Sequence, residues 1–139
     1  MKGALTQLLP GNTISNLHVL VIGLDPYRVS GPWDPKPVAE AIEIGMTALA
    51  NHGFHAEACL VGLDGCDDIE ARVTAALKAR SWDCVVIGGG IRHPEEQLEI
   101  FESIINLVRQ HAPKAAIAFN HTPYDLADAA ARSLRRGSG

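Results

Sequence analysis

Aromatic residues, long apolar runs and concentrated positive charge are all scarce in this sequence. Aromatic side chains make up 5% of the 139 residues and hydrophobic ones 47%, so aliphatic residues and alanine must build the core. No run approaches the roughly 18 apolar residues that a membrane-spanning helix needs, and residues 1–10 lack the pattern of a signal peptide. We therefore expect no membrane partner and a cytoplasmic location.

Positive charge is spread thinly along the chain. The formal net charge is −4, and the basic residues are scattered except for Arg132, Arg135 and Arg136. Nucleic-acid binding normally requires a concentrated basic face that displaces counterions from phosphates. At the end of a helix the three arginines instead complement the negative end of its dipole, so we expect no nucleic-acid partner.

The three cysteines have no CxxC pair and no Cys/His spacing typical of structural zinc. Cys59 and Cys84 lie inside apolar runs, which predicts buried, reduced thiols. Two histidines and an aspartate could in principle form a facial metal triad, but these residues fall on separate loops with no helical spacing. The sequence therefore predicts no metal and no cofactor.

Four short apolar runs are nearly continuous in hydrophobicity, which is typical of strands covered on both faces. They span residues 17–24, 55–63, 83–87 and 115–120, and a helix-period segment follows each one. We assign residues 17–136 to a single domain, the usual size for one core. Residues 1–16 are an unassigned N-terminal strap, and residues 137–139 have the composition of a cloning remnant.

Three helices have recognisable starting signals. Asp67 and Asp68 are both N-cap candidates for the second helix. The third is predicted to open at Pro94 and to run to about His111. Thr122 is followed three residues later by the carboxylate of Asp125, a capping-box pattern that predicts the start of the fourth helix.

Strands that alternate with helices imply right-handed crossovers and an open, doubly wound parallel sheet in a three-layer sandwich. The strand order 2-1-3-4 places two helices on each face. In such a sheet a ligand crevice lies outside the carboxyl ends of the strands, where the order reverses. We therefore expect a site between the first and third strands.

Polar side chains follow the first, third and fourth strands and are expected to converge on this crevice. Asp25, His93 and His121 are candidate proton-transfer groups, because neighbouring strands lie only about 4.8 Å apart. Two of these residues have a structural alternative: Asp25 can satisfy turn amides before Pro26, and His93 can simply precede a helix. The residues expected to bind substrate are Tyr27, Arg28, Trp33, Gly89, Gly90, Arg92 and Asn120.

The glycines at 88–90 allow two interpretations. Their backbone amides could approach an anion at a helix N-terminus, with Arg92 supplying charge. Glu95 and Glu96 would repel that anion, however, so close packing of strand against helix explains the glycines at least as well.

The apolar stripe of the third helix is wider than packing on a sheet requires. It covers about half of the circumference, and a second partner is needed to bury the surplus. Either the fourth helix or a second copy of the chain provides it, and we expect a homodimer because isologous pairs are the commonest small assemblies.

Known nucleotide-binding motifs are missing. The first strand is followed by Gly23-Leu24-Asp25-Pro26 rather than GxGxxG, and there is no Walker A loop. In element order the chain resembles flavodoxins and response-regulator receivers, but it lacks the phosphate loop of the former and the phosphorylated aspartate of the latter.

Three groups of residues form a recurring pattern: Val85, Val86, Ile87, Gly88, Gly89, Gly90, Ile91 and Arg92, then Phe101, Ile105 and Asn106, and then Phe119, Asn120, Pro123 and Asp125. In these residues, and across residues 17–134, the chain resembles a set of short bacterial Rossmann-like proteins to which no activity is attached. That resemblance implies a Rossmann-like or flavodoxin-like fold and places Arg92 and Asn120 beside the crevice.

The first functional hypothesis is a cofactor-independent acid–base enzyme, such as a lyase, isomerase or hydrolase, that acts on a compact polar or anionic metabolite. The alternative is a non-catalytic module that senses a ligand or forms a dimer. A flavin or nucleotide carrier is disfavoured, because the loops that bind these cofactors are missing.

Overall fold

The computed structural model describes residues 17–138. The predicted N-terminal strap at 1–16 and the final Gly139 lie outside the described residues. Within the described part, no helix combines the length and the apolar character needed to cross a membrane.

Four parallel strands form the sheet. They are β1 (His18–Leu24), β2 (His55–Val61), β3 (Cys84–Ile87) and β4 (Ala116–Phe119), in the order β2-β1-β3-β4. The predicted order 2-1-3-4 is therefore confirmed, and each predicted strand boundary lies within two residues of the observed one.

Five helices pack on this sheet: α1 (Lys36–Asn51), α2 (Ile69–Lys78), the short α3 (Gly89–Arg92), α4 (Leu98–His111) and α5 (Leu126–Ser138). Three-residue 3-10 turns occur at Pro26–Arg28, Glu95–Gln97 and Pro123–Asp125. The result is a three-layer α/β sandwich with a flavodoxin-like or Rossmann-like arrangement.

Alternating strand residues point to opposite faces of the sheet and build two separate cores. On one face α2 and α4 cover the first core, whose buried strand residues are Leu20, Ile22, Cys59, Val61, Val85 and Ile87. On the other face α1 and α5 cover the second, whose strand residues are Val19, Val21, Cys84, Val86 and Ala118.

The predicted start of the third helix is wrong. A separate turn of helix, α3, forms directly after β3, and Pro94 then adopts an extended conformation with φ −70° and ψ 133°. The helical direction changes at this proline, so α4 begins only at Leu98. Glu95 and Glu96 belong to the intervening 3-10 turn rather than to the first turn of a long helix.

The other starting signals are confirmed, with one refinement. Asp68 is the N-cap of α2 and accepts a hydrogen bond from the Ala71 amide, whereas Asp67 has other partners. Thr122 and Asp125 form the predicted capping box, on the 3-10 turn that leads into α5.

Two of the cysteines are buried free thiols, as predicted. Burial raises the pKa of Cys59, and it raises the pKa of Cys84 to about 12. Since the thiolate is the reactive form, both behave as inert core residues.

A close approach between α1 and the start of α5 depends on Gly45, which is buried in the middle of α1. A Cβ atom at this position would overlap the carbonyl oxygen of Pro123 and the side chain of Leu126. The distance between these two helices, and hence the shape of the adjoining carboxyl edge, depends on this glycine.

We predict that Gly45→Ala lowers the free energy of unfolding by about 1–3 kcal/mol, the usual cost of overpacking a core. Alanine is the better helix former by roughly 1 kcal/mol, but the obstructing atom is a backbone oxygen that cannot easily move. Urea denaturation measures the change. Gly23→Ala is the control, because its Cβ would meet only the flexible Leu60 side chain at 3.5 Å; equal effects of the two substitutions would contradict the prediction.

Candidate functional site

A cleft of about 260 Å³ opens at the carboxyl edge of the sheet, where the strand order reverses between β1 and β3. This is the position at which the sequence predicted a crevice. The residues lining it are Val21, Gly23, Leu24, Pro26, Val29, Val38, Ile42, Leu60, Gly88, Gly89, Gly90, Asn120, His121, Thr122, Pro123 and Leu126.

Glycine backbone forms one wall of the cleft. Gly23 is the next-to-last residue of β1, and Gly88 to Gly90 lead from β3 into α3. The Gly88 amide donates to the carbonyl oxygen of Ile22 at 2.8 Å, which holds the two strand ends together. Because side chains are missing on this wall, a ligand can approach the backbone closely.

Apolar side chains from two helices form the opposite wall. Val38 and Ile42 come from the first two turns of α1, and Leu126 comes from the start of α5. Pro123, whose carbonyl oxygen faces Gly45, lies between these two helices and completes the wall.

Asn120 is the one buried polar residue among the described residues, with 4% of its surface exposed. Its side-chain amide nitrogen donates to the Thr122 carbonyl oxygen at 2.7 Å. Its side-chain oxygen, Oδ1, has no hydrogen-bond partner in the described part of the chain. Exchanging the positions of Oδ1 and Nδ2 would place Oδ1 against the Thr122 carbonyl oxygen, which is also an acceptor. The exchange would therefore not supply Oδ1 with a hydrogen bond.

Arg92 is not part of the cleft lining, but it determines the position of Asn120. Its guanidinium donates to the Ile87 carbonyl oxygen at 2.8 Å and to the Asn120 carbonyl oxygen at 2.7 Å, so it joins the ends of β3 and β4. It also lies 5.3 Å from the centre of the Phe119 ring. Burial lowers the pKa of Arg92, as is expected when a cation is moved out of water.

The predicted catalytic residues are not all brought to the cleft. His121 lines it, with its backbone amide donating to both carboxylate oxygens of Asp125 at 3.0 and 3.1 Å. His93 lies beside Gly89, and its Nε2 is 3.3 Å from a guanidinium nitrogen of Arg92. His93 is not among the residues of the cleft lining.

Asp25 has the structural role that was its alternative. Its carboxylate accepts a hydrogen bond from the Tyr27 amide at 3.0 Å and caps the 3-10 turn. Its own amide donates to the Val61 carbonyl oxygen at 2.8 Å, so the residue leans towards β2. It too lies outside the cleft lining.

Arg28 forms ion pairs instead of facing the cleft. It is 3.0 Å from a carboxylate oxygen of Asp64 and 3.0 Å from one of Asp67, on the loop that follows β2. Hydrogen bonds from Arg28, and then from the Gly62 amide, lower the pKa of Asp67 to about 2, and Arg72 also contributes.

The predicted aromatic ligand contacts are also outside the lining. Tyr27 and Trp33 are both exposed, and the Trp33 ring lies against Gly31 of its own loop. Of the predicted substrate-binding residues, those that line the cleft are Gly89, Gly90 and Asn120.

The apolar wall was not predicted as part of the site. Val38 and Ile42 belong to the helix-period segment that follows the first apolar run, and no motif marks them as ligand contacts. Their position in the first turns of the helix was the available signal, since that end of a crossover helix adjoins the carboxyl ends of the strands it follows.

Within residues 17–138, no group of three or more His, Cys, Asp or Glu side chains converges as a metal site would require. A scan against protein-family models finds no match to the chain, and a search of curated proteins finds none either. The resemblance to short Rossmann-like proteins therefore stays a prediction.

We predict that Asp67→Asn reduces stability in a pH-dependent way. The folded-state pKa of Asp67 is below its ordinary value, so its ion pairs stabilise the fold fully above a pH of about 4 and are lost as the pH falls towards 2. Urea unfolding should show the variant to be weaker than the wild type at pH 7, with the difference shrinking between pH 4 and 2. A difference that stays constant across this range would contradict the prediction.

Proposed function

We propose that this protein binds a compact, mainly apolar molecule that carries an N–H or O–H donor, in the cleft between α1 and α5. One observation carries the proposal: Asn120, which lines this mainly apolar cleft, has a buried side-chain acceptor, Oδ1, that the described part of the chain leaves unpaired.

The energetics favour a donor at that position. A buried acceptor without a partner costs about 1–3 kcal/mol, and a ligand that donates to it recovers this free energy on binding. A site built around one such group also rejects analogues that lack the donor, because they leave the acceptor buried and unsatisfied.

The charge of the lining favours a neutral ligand over the anionic metabolite expected from the sequence. No Lys or Arg is among the described residues that line the cleft. Arg92 is bonded to two backbone carbonyl oxygens and Arg28 to two carboxylates, so both cations are already engaged.

The shape of the lining favours a flat ring. Glycine backbone forms one wall, and the side chains of Val38 and Ile42 form part of the other. A planar molecule can therefore lie against the backbone on one side and against aliphatic groups on the other, with its edge directed at Asn120.

We predict that indole binds more tightly than benzofuran, a ring of the same shape without the N–H. The expected ratio of dissociation constants is about tenfold, the effect of one hydrogen bond to a buried acceptor. Amide chemical-shift titration measures both constants and shows whether Gly89, Gly90 and His121 respond. Equal affinities, or responses away from these residues, would contradict the proposal.

Two variants make this test specific. Asn120→Ala should bind the two rings equally, because the acceptor is gone. Val38→Trp should block both rings, whereas Val38→Ala, at the same half-exposed position, should still admit them. Folding of each variant is checked by circular dichroism before binding is measured.

Acid–base catalysis is a second candidate, because one titratable side chain, His121, lines the cleft beside Asn120. A histidine next to a bound ligand can accept or donate a proton near neutral pH. In this version of the hypothesis His121 acts without Asp25 or His93, and the reaction is a lyase or isomerase step on the same neutral ligand.

Proton transfer can be tested before the natural substrate is known. Ligands that stabilise the protein in a thermal-shift screen are incubated in D₂O and followed by proton NMR for exchange of carbon-bound hydrogen. If the protein is catalytic, exchange should be lost in His121→Gln and kept in Asp25→Asn and His93→Gln. Binding without exchange in the wild type would leave only the non-catalytic function.

Location and kinship are part of the same proposal. The free thiols at Cys59 and Cys84 support a reducing compartment, since such compartments keep cysteines reduced, and we place the protein in the cytoplasm. The β3–α3 segment, with Asn120 in the cleft lining and Arg92 bonded to its carbonyl oxygen, supports kinship with short bacterial Rossmann-like proteins.

A further inference from the structure

We propose that two copies of this chain pair through one face of α4, with the two helices antiparallel. This inference goes beyond ligand binding and does not depend on it. The surface concerned, called here the α4 outer face, consists of Leu98, Phe101, Glu102, Ile105 and Arg109.

This face lies beside the fully buried strip of α4, and its members Phe101 and Ile105 also make contact with the core. Ile104 and Val108 are fully buried in the core. Leu98, Phe101 and Ile105 follow one another at three and four residues, so they share a neighbouring strip of the helix. Leu98 is 59% exposed, and Phe101 and Ile105 are only partly buried.

The apolar strip continues onto the edge of the sheet. The Phe119 ring, at the end of β4, is 40% exposed and makes an edge contact with Phe101 at 6.1 Å between ring centres. The outer face of the helix and the end of the strand are therefore connected through the contact between Phe101 and Phe119.

Side chains of α5 cover the carbonyl groups at the open edge of the sheet. The Ala116 amide donates to the Asp83 carbonyl oxygen, directly before β3, so the intervening residues Ile117 and Phe119 direct their carbonyl groups to the open edge. The Ile117 oxygen accepts from the Ser133 hydroxyl at 3.3 Å, and the Phe119 oxygen accepts from the Arg132 guanidinium at 2.8 Å. An edge covered in this way does not readily add a strand, which leaves helix packing as the route.

The charges on α4 select a second copy as the partner and set its direction. The first turn carries Glu99 and the last turn Arg109 and His111. Glu102 and Arg109 take part in none of the ion pairs formed by the described residues.

An antiparallel pair with its two-fold axis near Ile105 brings these charges together. Glu102 lies three residues before Ile105 and Arg109 lies four residues after it. At the helical rise per residue, Glu102 of one copy and Arg109 of the other are then offset by only about 1.5 Å along the axis. The two-fold axis produces this Glu102–Arg109 contact twice. The two helix dipoles also run in opposite directions, which is favourable. A parallel pair would place like charges side by side.

The first test is the molecular mass in solution by sedimentation velocity, across a concentration series of the full chain. The wild type should be a dimer with a dissociation constant in the micromolar range, typical of a small interface. Leu98→Lys should be a monomer. The matched control is Ile44→Lys on α1, which is similarly exposed at 52% and should remain a dimer. A wild-type chain that is monomeric at every concentration overturns the proposal.

Charge reversal tests the antiparallel arrangement. Glu102→Arg and Arg109→Glu should each weaken the dimer by about tenfold, because each breaks two symmetry-related pairs and adds repulsion. The double variant should recover most of the wild-type affinity. If the double variant dimerises more weakly than both single variants, the proposed arrangement is wrong. All four substituted positions are exposed or at the surface, so circular dichroism is expected to show an intact fold.

Discussion

The guanidinium of Arg92 connects the carboxyl ends of two neighbouring strands, at the point where their parallel pairing ends. It donates to the last carbonyl of β3 and to the carbonyl of Asn120, just after β4. Because β3 and β4 are neighbours, one planar side chain with several donors can span both. The consequence is a fixed backbone position for Asn120, whose side chain is in turn held by the Thr122 carbonyl oxygen.

With those bonds made, the asparagine has one acceptor left and little freedom to redirect it. Asn120 Oδ1 is buried, and the cleft that Asn120 lines consists mainly of glycine backbone and aliphatic side chains, with His121 and Thr122 beside it. Leaving a polar atom unsatisfied in such surroundings costs free energy, so a ligand that donates a hydrogen bond to it is favoured over one that does not. The proposed recognition of a neutral molecule with one donor rests on this atom, and Arg92 contributes to it by positioning Asn120.

The sequence was most informative where local patterns decide the structure. Continuous apolar runs identified all four strands, and the topology rule then located the cleft from their order alone. Gly89, Gly90 and Asn120 were correctly expected at its rim, because residues that directly follow neighbouring parallel strands must lie at the same edge.

Side-chain direction was predicted less well, because distant partners determine it. Asp25 accepts from an amide only two residues along the chain, as its structural alternative predicted, whereas Arg28 is held by carboxylates 36 and 39 residues away. No local pattern reveals those two ion pairs. The helix start predicted at Pro94 was wrong, because the glycines before it had already begun a separate turn and α4 begins only at Leu98.

We expect Asn120 Oδ1 to receive its hydrogen bond from a ligand in the cleft. A crystal structure of the protein grown with indole tests this expectation. The indole ring should lie between the glycine wall and Val38, with its nitrogen within hydrogen-bond distance of Asn120 Oδ1 and with the Arg92 bonds intact. A ring bound elsewhere, or an Oδ1 paired with another group of the same chain, would contradict it.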